Sequence, residues 1–237
     1  MLTLTYGTGV LSFTVAPATV PPNHLRSFFN YLFALMSILS RVVAVCFCIL
    51  VMFSEARAEP ASPTEVVNSV QDTLLSVMKD AEDLGTAGRY AMLAPTLGQA
   101  FDFQKMIRFA SGSSWKTATP EQRKKLSDAF TRLSISNYAA RFNGFSGEVF
   151  ETLGQRDGPR DSILVDTQIV RTVDSPVAIT YVLTESNEQW RIVDLVLDKK
   201  VSEMAIRRSE YNSILRDGGP DKLADVLNEQ ADKLLAK

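Results

Sequence analysis

The chain has 237 residues, with 25 Lys+Arg against 27 Asp+Glu, and carries only two cysteines and one histidine. A formal charge of −2 lacks the basic excess that nucleic-acid binding requires. His24, Cys46 and Cys48 all lie near the N-terminus, ahead of the segments that can fold. The rest of the chain is therefore excluded from disulfides, thiol nucleophiles, Cys/His zinc sites and histidine-based triads.

The first recognisable element is an export leader. Arg41 is followed by the apolar run Val42 to Phe53 and then by Ala56-Arg57-Ala58, which supplies a charged n-region, an h-region and an A-x-A cleavage site. Cleavage is expected after Ala58. Met36 stands at the right distance before Arg41 to be the start, so the signal peptide covers about residues 36–58 and residues 1–35 read as a mis-assigned upstream stretch. Left uncleaved, the same run would act as an inner-membrane anchor, although it falls short of the roughly 20 apolar residues of a comfortable span. No cysteine stands at the cleavage point for lipid attachment. Subtracting Arg26, Arg41 and Arg57 from 25, and Glu55 from 27, leaves 22 basic and 26 acidic residues in 59–237. That length suits one domain with a sizeable core, expected as a monomer.

Ser62-Pro63-Thr64-Glu65 provides an N-cap, a proline at the first helical position and a capping-box glutamate. The helix that starts there carries an apolar stripe, Val66, Val67, Val70, Leu74, Val77, Met78 and Ala81, up to a break at Gly85–Gly88. Arg89 to Ala110 is helical and aromatic-rich, and Pro95 and Gly98 predict that it breaks into two or three short helices. Thr119-Pro120-Glu121-Gln122 is a second capping box, opening a long helix to about Phe142 with Leu126, Ala129, Phe130, Leu133, Tyr138 and Phe142 inward.

After Gly144 the period changes to that of strands. Ser146–Gly154, Ser162–Val173, Val177–Ser186 and Gln189–Asp198 are β-rich and joined by short turns, which predicts a four-stranded antiparallel meander. The fourth run fails to alternate: Trp190, Ile192 and Val196 oppose Val193, Leu195 and Leu197, as in a sheet covered on both sides. Ser202 caps a following helix with Ala205, Ile206, Tyr211, Ile214 and Leu215 inward. Gly218-Gly219 stops it, and Pro220-Asp221 starts a last helix with Leu223, Val226, Leu227, Gln230 and Leu234 in register. The whole is an α+β domain with N-terminal helices, a curved sheet and two C-terminal helices.

Candidate chemistry is sparse. Ser76-Val77-Met78-Lys79 is an S-x-x-K pattern of the kind that supplies a serine nucleophile and lysine base. Ser113-Ser114-Trp115-Lys116 repeats it, the accompanying S-D-N and K-T-G elements are incomplete, and Ser76 falls on the polar face of its helix. Asp102, between two phenylalanines, and Asp194, in the last strand, are candidates for partly buried carboxylates, which can act as general acids but more often cap helices or pair with arginine. No metal-binding or cofactor motif is present in the mature region.

Several ordered stretches resemble the MlaC (toluene-tolerance) family of periplasmic lipid carriers, and within it the hopanoid-biosynthesis-associated HpnM branch. They are Ala100-Phe101-Asp102-Phe103 with Met106, Gly112-Ser113-Ser114-Trp115, Thr119 to Arg123, Ala129-Phe130 with Tyr138, Val165-Asp166-Thr167, Tyr181, Trp190 to Asp194, and Arg207 to Tyr211 leading to Leu215 and Gly218-Gly219. Asp198-Lys199-Lys200-Val201-Ser202 departs from the phospholipid-carrier branch and favours HpnM. The resemblance implies an apolar cavity for acyl chains, no enzymatic activity and no cofactor. It implies a periplasmic shuttle working with an inner-membrane ABC transporter that carries an MCE subunit, and with an outer-membrane lipoprotein complex. The ligand it implies is a phospholipid or a hopanoid. The residues expected to contact the lipid are Phe101, Phe103, Met106, Phe109, Phe130, Tyr138, Ile179, Tyr181, Ile192 and Tyr211, with Arg207 or Arg208 at a head group. The alternative is an envelope adaptor whose interior is filled by its own side chains.

Overall fold

The structure is a computed structural model that describes residues 60–236 except Val173 and Lys199; the leader and the start-site expectation lie outside the described residues. Both capping boxes form as read. Ser62 accepts from the Glu65 amide while Glu65 reaches back to the Ser62 amide, opening α1 (Pro63–Lys79). Thr119 and Gln122 do the same for α5 (Pro120–Arg141). Each reciprocal pair satisfies two of the amides that a helix start leaves without partners.

The helical breaks fall partly where expected: the Gly85–Gly88 break is present as a kink, while those at Pro95 and Gly98 are not. α1 ends at Lys79, and α2 (Ala81–Ala100) follows after Asp80, kinked at Gly85, where φ is 58° and ψ 179°. Pro95 and Gly98 do not interrupt α2. Pro95 and Ala91, four residues earlier, both face solvent, so water can serve the carbonyl that the proline leaves unbonded. The break comes instead at Phe101–Asp102, where the chain leaves the helix to lie beside the sheet: Phe101 bridges Ile192, and the Asp102 amide donates to the Ile192 carbonyl at 2.9 Å. Asp102 then caps α3 (Phe103–Ser111) by accepting from the Lys105 amide at 2.8 Å. Gly112, at φ 58°, leads into the short α4 (Ser113–Thr117).

Among the described residues the sheet is an antiparallel meander of five strands in sequence order: β1 (Val149–Asp157), β2 (Ser162–Val170), β3 (Val177–Ser186), β4 (Gln189–Leu197) and β5 (Val201–Ser202). The fifth corrects the expected four. It is a two-residue return onto Val196 and Leu197 after a turn in which Asp198 takes φ 50°, too short to show a period. The irregular pattern of β4 has a local cause. Tyr181 pairs with Leu195 and Leu183 with Ile192, so Val193 is an extra, bulged residue. The bulge returns Trp190, Ile192, Leu195 and Leu197 to one face, with Tyr181 and Leu183. A second register shift between Thr152 and Gly154 re-aims β1.

α6 (Glu203–Leu235) contains both expected C-terminal helices, joined through a kink at Gly219 (φ 67°, ψ −165°) before Pro220. Ser202 caps it through the Ala205 amide. Its inward stripe is Met204, Tyr211 and Leu215, then Leu223, Ala224, Leu227 and Ala231. Ala205, Ile206 and Gln230, expected inside, face out, which places the stripe a fraction of a turn from the sequence reading.

The helices pack on each other and on the inner face of the sheet. α1 crosses that face, bonded to β1 through Asn68 to Thr152 (2.8 Å) and Thr64 to Gln155 (2.9 Å). Arg89 ties the helices together from within. Only 7 % exposed, it donates to the Ala139 carbonyl near the end of α5, to the Ala81 carbonyl at the start of α2 and to Thr86. Its charge thus sits near the negative end of the α5 dipole, without a carboxylate among its bonded partners.

Candidate functional site

The inner face of the sheet is largely apolar, interrupted by Thr152 and Thr167, and is buried at its centre but only half-buried toward its ends. Val165, Tyr181, Leu183 and Ile192 are fully buried under the helices. Toward one end of the same face, Ile169, Val177, Ile179, Leu195 and Leu197 are only half-buried. The register accounts for the layout: Phe150 stands opposite Ile169, Ile169 opposite Val177, and Ile179 opposite Leu197.

A seam of aromatic rings links the buried part of this face to the half-buried end. Phe101 and Phe103 project from the segment that leaves α2, stacked at 5.2 Å, and Phe103 meets Phe130 of α5 edge-on at 6.1 Å. Phe101 meets Tyr138 at 5.9 Å, Tyr138 stacks on Phe142 at 5.8 Å, and Phe142 reaches Phe150 of β1 at 6.4 Å. Phe101, Phe103 and Phe130 are buried; Tyr138, Phe142 and Phe150 are half-buried. The seam therefore starts in the packed core and emerges between the end of α5 and the first strand.

Three phenols lie along this interior. Burial pushes Tyr181 and Tyr211 up to about 12, partly opposed by Gln71 beside Tyr181 and by Arg207 beside Tyr211. Burial raises Tyr138 further still, with the neighbouring Tyr181 and Glu203 acting in the same direction. All three stay neutral at physiological pH and add hydroxyls, not charge, to an apolar layer.

Of the residues singled out for lipid contact, the structure gathers Phe101, Phe103, Met106, Phe130, Tyr138, Ile179, Tyr181, Ile192 and Tyr211 in the interior or at its half-buried end. Phe109 points outward and is 47 % exposed. Arg207 is held by Glu203 at 2.9 Å and Glu210 at 3.2 Å on its own helix. Arg208 lies over the Phe109 ring, 5.3 Å from its centroid. Phe142, Phe150 and Leu195 belong to the layer and are missing from the sequence-derived set. The alternating position of Phe150 in a strand was an available signal, whereas the bulge hid the side of Leu195.

The candidate catalytic groups are committed to structural bonds. The Ser76 hydroxyl donates to the Asp72 carbonyl at 3.0 Å, and the Lys79 ammonium lies over the Phe145 ring. Asp102 caps α3. Asp194 accepts from the Leu195 and Met204 amides and from the Ser202 hydroxyl, fastening β4 to the start of α6. Among the described residues no group of His, Cys, Asp or Glu could hold a metal ion, and no helix is long and apolar enough to cross a membrane.

The family model described as MlaC protein matches residues 68–229. No curated protein matches the chain. Among solved structures, the fold is similar to a phospholipid-binding protein from Ralstonia solanacearum determined in complex with a phospholipid. The TM-score is 0.65 at 22 % identity, covering 75 % of this chain and 100 % of that one.

Proposed function

The chain belongs to the MlaC family, and on that premise we propose that it is a lipid carrier that takes acyl or polycyclic chains against the inner face of its sheet. The observation that carries this reading is the half-buried apolar cluster at one end of that face. There, half-buried apolar groups from α5, β1, β3 and β4 (Tyr138, Phe142, Phe150, Ile179 and Leu195) lie together against the core. The likeness in fold to a phospholipid-bound protein supports the same reading. Tails entering there would meet Tyr138 and Ile179 first and then Phe101, Phe103, Met106, Phe130, Tyr181, Ile192 and Tyr211. Arg207 is engaged by two carboxylates and Arg208 by the Phe109 ring, so neither expected head-group cation stands free for that role.

The energetics explain why a carrier is needed. Two chains with about thirty methylenes, at roughly 0.8 kcal/mol each, cost on the order of 24 kcal/mol to expose to water. Unaided transfer between membranes is correspondingly slow, and a protein that shields the tails removes most of that barrier. Release then requires an opening favoured by docking, because a site that is always tight would not give up its cargo.

In the finer reading, the chain is exported to the periplasm and shuttles a phospholipid or a hopanoid-type lipid between the inner and outer membranes. An ABC transporter with an MCE subunit and an outer-membrane lipoprotein complex serve as its docking points, and the chain itself is not an enzyme. The testing experiment is transfer of a fluorescent phospholipid between donor and acceptor vesicles. The protein should accelerate transfer in proportion to its concentration; a rate equal to the protein-free rate for both phospholipid and triterpenoid probes refutes the proposal.

A further inference from the structure

We infer that the C-terminal end of α3 and the facing turn of α6 form a docking patch for an anionic lipid surface. Lys105, Arg108 and Phe109 share one face of α3 by helical spacing, and Lys116 follows on α4. Arg208 reaches across from α6. Its guanidinium covers one face of the Phe109 ring at 5.3 Å, donates to the Phe109 carbonyl at 3.4 Å and packs so closely on Gly112 that a Cβ there would lie 3.3 Å away. The ring is nevertheless 47 % exposed, and the contact with Arg208 holds it in place at the surface.

The charged side chains of the patch itself, Lys105, Arg108, Lys116 and Arg208, are all basic. Among the described residues, no carboxylate forms an ion pair with Arg108, Lys116 or Arg208, while the nearest acids on the same elements are already engaged. Asp102 caps α3, and Glu203 and Glu210 hold Arg207. A second exposed ring with a cation offers an internal contrast. Phe145, 43 % exposed, sits under Lys79, but the chain there continues into the exposed acids Asp80, Glu82 and Asp83. Among the described residues only the Phe109 patch combines a protruding apolar ring with a cluster of cations free of ion pairs.

That combination fits a lipid headgroup layer. Basic side chains gain from the negative surface potential, and a single ring needs only shallow insertion with no shaped counterpart. The rest of the domain is net acidic, so the patch would also set its orientation at the membrane. The inference concerns docking and goes beyond the carrier reading: it can fail while lipid transfer between uncharged vesicles persists, and it can hold in a protein that carries no lipid.

The test is flotation of the natively produced protein with vesicles of phosphatidylcholine, with and without phosphatidylglycerol. Binding should favour the anionic vesicles and fall with added salt. Each basic side chain is worth about fivefold, so R108Q should lose about fivefold of that preference and R108Q/R208Q about thirtyfold. Because Arg108 has no bonded partner among the described residues, R108Q alone carries the test if loss of Arg208 disturbs folding. K79Q should leave the preference unchanged. A wild-type protein without preference for anionic vesicles overturns the inference and leaves the patch to an acidic protein surface, and an R108Q variant that keeps the full preference overturns it as well.

Discussion

Replacing Asp194 separates a structural carboxylate from a catalytic one. Its two oxygens accept from the Leu195 amide at 2.8 Å, the Met204 amide at 3.0 Å and the Ser202 hydroxyl at 2.6 Å, and Ser202 in turn caps the Ala205 amide at 3.0 Å. Met204 is in the first turn of α6, so the carboxylate also meets the positive end of that helix. Hydrogen bonds to a charged group contribute roughly 1.5–3 kcal/mol each when buried. Discounting for a half-buried site, Asp194→Ala should cost about 3 kcal/mol in all. For a domain of this size that lowers Tm by roughly 6–12 °C. Asp194→Asn keeps one carbonyl oxygen for the two amides and should lose about half as much. Thermal and urea unfolding followed by circular dichroism measures both. An Asp194→Ala protein within about 0.5 kcal/mol of wild type would refute the capping role and reopen the carboxylate to a chemical one.

Alkaline pH should destabilise the fold through its buried phenols. Tyr181 and Tyr211 stand at about 12 against an ordinary value of 10.0. Because the folded value is the higher one, their stabilisation is fully present below about pH 10 and is lost as pH rises toward 12, at up to about 3 kcal/mol per phenol. Urea unfolding across that range should show the loss, with Tyr181→Phe blunting it; stability constant to pH 12 would contradict the burial of these groups. Arg89→Leu leaves the Ala81 and Ala139 carbonyls without their donor and should cost about 3 kcal/mol in the same assay. Ile179→Trp or Leu195→Trp adds bulk at the half-buried end of the inner face, and unfolding should shift by about 1–3 kcal/mol. Bound lipid per protein, measured after native purification, should fall by half or more; an undiminished complement would place the lipid elsewhere.

The parts of the fold set by neighbouring residues could be read from the sequence. Ser62 with Glu65, Thr119 with Gln122, and Ser202 each announce a helix start because the capping bonds join residues three apart, and Gly219 with Pro220 marks the kink in α6 for the same reason. The features that escaped depend on distant partners. Nothing near Phe101 says that the chain must leave its helix there to pair with Ile192, and the expected breaks at Pro95 and Gly98 are overridden because that side of α2 faces water. The bulge at Val193 reverses the phase of β4, so its alternation looked like a sheet buried on both sides. The candidate site divides in the same way. Large side chains such as Phe101, Phe130 and Tyr181 declare themselves as interior by size and spacing. The continuation of the seam through Phe142 to Phe150 needs the end of α5 to meet β1, and Phe109 has the composition of a core residue but the exposure of a surface one.

Lipid tails bound on the inner face of the sheet would travel with the protein through purification. A native mass spectrum of the intact protein, purified without detergent, tests for them most directly. The account predicts a population heavier than the polypeptide by the mass of one phospholipid or triterpenoid lipid, released as that lipid on collisional activation. A spectrum showing only the bare polypeptide, unchanged after incubation with either lipid class, would contradict it and favour an envelope adaptor with a self-filled interior.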